Sequence, residues 1–277
     1  MTHDLLFILP YFFIVGILVG LLSMLFGIGG GLVMVPAISV FLQYSGFSHS
    51  IAMKTAVATS LITIMASTLS VLHYQHRSGY VPWCLVRKFL PCVVAGSVIG
   101  SMIASQVSGN LLTYLFIIFL FYVIVRCWFG KNFKTAYQIE DFIEPGLISK
   151  NIVGFIVGVL SVLIGVGGNV LFMPYLRYYK FPMKNATAFT VALAPCLALI
   201  GSVGYCIEGI NLSKKIMPAY SIGYINLPAF VFIMLGSFLG ARIGRKLLKH
   251  INDQLQAKIY LIFLMVVFFC MVSTLVR

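Results

Sequence analysis

The chain has 277 residues, of which 61% are hydrophobic and only 9% charged, with a mean hydropathy of +1.04 and a formal net charge of +13. So little polar surface cannot cover a globule of this size in water, which excludes a soluble enzyme or binding domain and identifies a polytopic membrane protein. The basic residues lie in short connections between apolar runs, where membrane topology and anionic lipid account for them and a nucleic acid partner does not.

The N-terminal "MTHDLLFILP" lacks the basic region and small-residue cleavage site of a secretory signal, so the apolar stretch from Leu5 to Phe26 is read as part of the mature protein. It runs into "FGIGGGLVMVP" (26–36), where glycines crowd a segment that should be helical, and a short arm from Leu32 to Tyr44 follows. Segments 53–73, 83–104 and 110–127 are each long enough, at roughly 1.5 Å per residue, to cross a hydrocarbon layer of roughly 30 Å. The polar stretch 131–150 holds three of the six acidic residues and reads as a linker. Beyond it come arms at 148–164 and 168–179, then apolar segments 183–206, 224–241 and 255–276. Runs such as "YLFIIFLFYVIV" do not alternate, so these are helices and not barrel strands. The expectation is an all-α fold of ten helical elements, the first two of each set of five being short or tilted.

The two sets are copies of one another. Shifted by 138 positions, "GILVGLLSMLFGIGGGLVMVP" (16–36) lies over "GFIVGVLSVLIGVGGNVLFMP" (154–174). With short indels the match continues as "MKTAVATS" (53–60) over "MKNATAFT" (183–190) and "GSVIGSMIAS" (96–105) over "GSFLGARIGR" (236–245). Residues 1–130 therefore form a first transmembrane repeat, 131–150 a cytoplasmic linker and 151–277 a second repeat. If each glycine cluster is the tip of a hairpin that enters and leaves on one side, fifteen of the nineteen lysines and arginines share a face and four share the other. Counting each hairpin as a single crossing gives about ten against nine, so the positive-inside rule favours hairpins, inverted repeats and two external termini.

A broken helix at membrane depth is tolerated where its freed backbone groups face protein or a wet cavity. A glycine turn there exposes the amides that begin the next helix, which carry partial positive charge and admit a small anion closely. Gly27, Gly29, Gly30 and Gly31, with Gly165, Gly167, Gly168 and Asn169, are the candidate anion-binding residues. The competing reading is helix packing, as small residues four apart permit, and Gly96, Gly100, Gly236 and Gly240 are expected to do only that. Along 53–63, Thr55, Thr59 and Thr63 fall on one helical face beside Ser60, and the second repeat supplies Thr187 and Thr190. Thr55, Thr59, Thr187 and Thr190 join the candidates as hydroxyl donors, against the alternative that each bonds a carbonyl of its own helix. Lys54 and Lys184 are matched by the repeat and are read either as attractants at the two mouths or as snorkelling anchors. Pro195 is a candidate hinge, while His73 and Glu208, at opposite span ends, are the ionisable groups nearest the path.

The doubled "GxxxGxxSxxxGxGGxxxxxP", with "MKTAVATS" and "MKNATAFT" downstream, resembles the sulfite exporter TauE/SafE family, also called the toluene sulfonate uptake permease family, over about residues 11 to 275. The resemblance implies a transporter that carries sulfite, thiosulfate, sulfonates or related small anions across the cytoplasmic membrane, with a proton or sodium ion as a possible coupling partner. Asn169 stands where the first tip has Gly31, so the two tips are not equivalent. No HExxH, GxSxG, Walker or haem-binding spacing is present, and the six cysteines form no CxxC or Cys/His cluster, so neither enzymatic chemistry nor a metal or other cofactor is expected. A membrane-embedded accessory or assembly protein, and a passive anion channel, are the rival functions.

Overall fold

The computed structural model describes residues 2–26, 30–129, 140, 142–210, 217–218, 220–248 and 253–276. Among these, ten helices follow in order: α1 (Thr2–Phe26), α2 (Gly31–Tyr44), α3 (His49–Arg77), α4 (Trp83–Gln106), α5 (Gly109–Phe129), α6 (Leu147–Ile164), α7 (Asn169–Tyr178), α8 (Met183–Ile210), α9 (Leu227–Leu248) and α10 (Asp253–Val276). A two-residue antiparallel ladder, β1 (Ser221–Ile222) with β2 (Ile225–Asn226), precedes α9. Five helices, α3, α4, α6, α8 and α9, are long and apolar enough to cross a membrane, and the all-α polytopic fold stands. Large apolar side chains face outward, among them Ile118 at 64% and Phe269 at 69% exposure, as a surface solvated by lipid tails allows.

Two departures from the sequence reading concern boundaries. Helix α1, at 25 residues, is not short: it runs unbroken through Pro10, Gly16, Gly20 and Ser23, its two glycines packed against α9. The apolar segment expected from 224 begins as helix only at Leu227, since Asn226 acts as the cap: its Oδ1 accepts the Ala229 amide at 2.9 Å.

The helices on either side of each glycine cluster form a hairpin. In the first half, the Tyr11 hydroxyl donates to the Ala37 carbonyl (3.0 Å) and Tyr11 stacks on Phe41. A Cβ at Gly30 would meet Val19 and Ser23, further along α1. The contacts run in opposite order on the two helices, so α2 folds back along α1. The second half repeats this: Ser149 Oγ and Tyr175 OH are 2.9 Å apart at the open end, while Gly168 abuts Val157 and Ser161 at the tip.

The halves interlock reciprocally. The most extensive packing joins the first helix of each half to the fourth of the other, α1 to α9 and α6 to α4. Glycines make both crossings possible: Gly16, Gly20, Gly236 and Gly240 bring the α1 and α9 backbones together, as Gly96, Gly100 and Gly158 do for α4 and α6. In lipid, where burial of apolar surface gives little drive, such backbone approach supplies the van der Waals contact that holds helices together. Both pairs run parallel. The equivalent helices α3 and α8 instead pack antiparallel at the centre, Lys54 meeting Glu208 at one end and Leu61 meeting Gly201 further in.

Candidate functional site

The two tips meet between α3 and α8. A Cβ on Gly31 would run into the Gly165 carbonyl oxygen and the Val166 Cα, so the second tip's backbone lies directly against the start of α2. Around the second tip stand Val57, Ser60 and Ile64 of α3 and Leu197 of α8. Gly27 and Gly29 lie outside the described residues. Gly31 and Gly165 are thus in backbone contact, Gly30 and the pair Gly167 and Gly168 lie in the same two turns, and Asn169 opens α7.

The tips differ in why they need glycine. Gly165 ends α6 in the left-handed region (φ 75°), and Gly167 (φ 70°) and Gly168 (φ 78°) continue the turn there, a conformation that other residues adopt only with strain. Gly30, which caps α2, has φ −56° and ψ 0°, which any residue reaches. Its lack of a side chain therefore answers to space and not to backbone angle. Neither Gly30 nor Gly168 carries a side-chain cap over the helix it opens, so the first amides of α2 and α7 are not covered that way.

Hydroxyl groups line the surroundings unequally. Ser161 is fully buried and its Oγ, beside Gly168, has no hydrogen-bond partner. Ser60 Oγ lies 2.9 Å from the Gly165 carbonyl and 2.8 Å from the Val57 carbonyl, sharing one proton between the tip and its own helix. Thr55 is fully buried and its Oγ is unpartnered. Thr59 accepts the Asn226 amide at 3.0 Å, which ties the chain between α8 and α9 into the bundle at that depth. Thr63 donates to the Thr59 carbonyl (2.7 Å) and Thr190 to the Thr187 carbonyl (2.8 Å), the own-helix bonding that was the alternative for these residues; Thr187 is half-buried.

The mouth residues also separate. Lys54 is buried and bonds Glu208 Oε1 at 2.5 Å, with the Tyr224 ring 5.6 Å from its ammonium. It is therefore no snorkelling anchor, and Glu208 does not simply face interfacial water. His73 is exposed, and the Lys184 side chain lies outside what is described. Pro195 sits within α8.

Ser60 and Ser161 touch or flank the tip and were not among the sequence candidates. The duplication carried the signal for both: Ser60 is the partner of Thr190, and Ser161 the partner of Ser23 within the repeated motif. Asn226 had no such signal, because the connection that holds it has no counterpart between α3 and α4.

The family model for sulfite exporter TauE/SafE matches residues 12–271. A probable membrane transporter protein of Methanocaldococcus jannaschii is 28% identical, over 93% of this chain and 94% of its own length. One of the same description from Haemophilus influenzae is 28% identical over 92% and 94%, and one from Bacillus subtilis 24% identical over 88% and 89%. No solved structure matches. Hairpins, tips and duplicated halves thus belong to a chain that is a member of the sulfite exporter TauE/SafE family of membrane transporters.

Proposed function

We propose that the protein is a secondary transporter of small sulfur-containing anions, sulfite, thiosulfate or sulfonates, that alternates access around its paired tips. The observation that carries this reading is the meeting of the Gly31 and Gly165 backbones, with a buried, unpartnered Ser161 hydroxyl beside Gly168 of the same tip. Two uncapped helix starts and a free hydroxyl make a cradle for an oxyanion without a fixed charge that would hold it too tightly. The family name and the relatives' description as transporters support the same class of activity.

Inversion of the repeats fits the packing. Equivalent helices α3 and α8 run antiparallel, and the first and fourth helices exchange partners between halves, as two units related by an axis in the membrane plane do. Both termini are then external and the linker 131–150 cytoplasmic, in the cell membrane. A cysteine at Gln138, which lies outside the described residues, should label only from the inside; labelling only from outside overturns the topology.

Flux into proteoliposomes tests the function. Labelled thiosulfate should enter with saturation and be inhibited by sulfite and short sulfonates. Linear flux makes the protein a channel, and absence of flux across the panel makes it an accessory protein with packing hairpins.

A further inference from the structure

Glu208 and Lys54 lie 154 residues apart in sequence and form an ion pair with side chains only 16% and 9% exposed. Burying two charges is costly, and a pair kept for stability alone is expected to have its remaining polar atoms satisfied. Here they are not. Glu208 Oε2 is buried with no hydrogen-bond partner, and so is the hydroxyl of Tyr205, one turn earlier on α8 and 1% exposed. Thr55, next to Lys54, adds a third buried and unpartnered oxygen. Among the described residues, the titratable groups facing the pair are Tyr205 from α8 and Tyr224 from the β1–β2 turn, whose rings meet edge to face at 6.4 Å.

The pair also lies on the way to the tips. Lys54 precedes Ser60, which contacts the Gly165 carbonyl, by six residues of α3, roughly 9 Å. The duplication sharpens the point: the register that pairs Lys54 with Lys184 pairs Glu208 with Ser78, so the carboxylate belongs to one mouth only. An ionisable pair inside a membrane bundle, with unsatisfied oxygens around it, is built for something that arrives.

We propose that Lys54 is the cation that receives the anion at the outer mouth and that Glu208 is its proton-operated competitor, so that anion and proton are taken up together. The inference rests on the transporter reading above and deepens it. With Glu208 ionised, its carboxylate occupies Lys54. A proton from the medium converts the carboxylate to the neutral acid, the ion pair is lost, and Lys54, still charged, binds the oxyanion with the Tyr205 hydroxyl, one turn from Glu208, as a further donor. Loss of the proton restores the carboxylate, which displaces the anion. Linkage requires that each ligand strengthen binding of the other.

The test uses the full chain with thiosulfate, which keeps its charge across the neutral range, so any pH dependence belongs to the protein. In proteoliposomes the wild type should bind thiosulfate more tightly as external pH falls and accumulate it when an inward proton gradient is imposed. Glu208→Gln should bind tightly with no pH dependence and fail to accumulate thiosulfate on that gradient. Lys54→Gln should weaken apparent affinity at least about tenfold, the loss of a charge-assisted hydrogen bond. Should either single variant misfold by leaving a buried charge alone, the double variant Lys54→Gln with Glu208→Gln leaves none and should fold, bind weakly and ignore pH. Wild-type pH dependence or proton-driven accumulation retained in Glu208→Gln or in the double variant overturns the inference, as does accumulation driven by sodium and indifferent to protons. Transport that saturates but is pH-insensitive in the wild type removes the inference and leaves the transporter reading standing. No wild-type flux of thiosulfate or sulfite removes both.

Discussion

The glycines of the helix crossings and the glycines of the tips answer to different demands. At the α1–α9 and α4–α6 crossings, a Cβ would enter the backbone of the opposing helix, such as the Ile17 carbonyl facing Gly240 or the Phe155 carbonyl facing Gly96. At the second tip the demand is a left-handed turn. At Gly30 it is space alone, and the nearest obstacle is the Val19 side chain and not backbone. Glycine at membrane depth is therefore not one signal. The positions where it is structurally indispensable are those where its loss says least about the anion, and Gly30 is where its loss says most.

The comparison can be broken most forcefully at the crossings. Gly240→Ala forces α1 and α9 apart against backbone that cannot yield, and should cost about 1–3 kcal/mol. Gly96→Ala should behave alike, although helix propensity alone predicts a gain. Thermal unfolding in detergent measures both, and an unchanged Tm in either contradicts the packing account. Gly168→Ala comes next, with about 1–2 kcal/mol of left-handed strain at φ 78°. Its Tm should fall less than that of Gly240→Ala. Gly30→Ala should lose about 1 kcal/mol, because its backbone angle suits alanine and the methyl must displace a side chain, Val19, and not backbone. A drop as large as that of the crossings would mean that Gly30 is a packing residue after all.

The smallest effect lies away from the tips and crossings, where Glu144, ahead of α6, accepts hydrogen bonds from Lys88 of α4 (2.6 Å) and Lys150 of α6 (2.9 Å). These two lysines hold its carboxyl at about 2 against an ordinary 4.5. A lowered value in the folded chain means that the stabilisation is complete above about pH 4.5 and is lost as pH falls toward 2. Glu144→Gln should remove that part of the acid sensitivity. The change is expected to be slight, because the Glu144 side chain is 47% exposed and water screens the pair. A Tm that falls with acid as steeply in Glu144→Gln as in wild type would contradict the clamp.

Much of the arrangement was legible because it is local or duplicated. Hydropathy marked the helices, the 138-residue shift paired the halves, and glycines bracketed by two apolar arms marked the hairpins. What escaped was non-local or unpaired. The Lys54–Glu208 bond joins α3 to α8 with no periodicity to announce it. The descent of Asn226 onto Thr59 arises in a connection that the duplication does not repeat. The threonine face was seen but not apportioned: i, i+4 spacing is the same for a hydroxyl turned to a ligand and for one bonded to its own helix, as Thr63 is.

An anion held on the tip backbone should show itself in the half-saturation concentration for thiosulfate of Gly30→Ala proteoliposomes, at matched folded protein. A methyl group at Gly30, pressed against Val19, shifts the first amides of α2 away from the anion, so the account predicts a rise of about tenfold or more while Tm falls less than in Gly240→Ala. Folded Gly30→Ala protein that transports with wild-type half-saturation would contradict it.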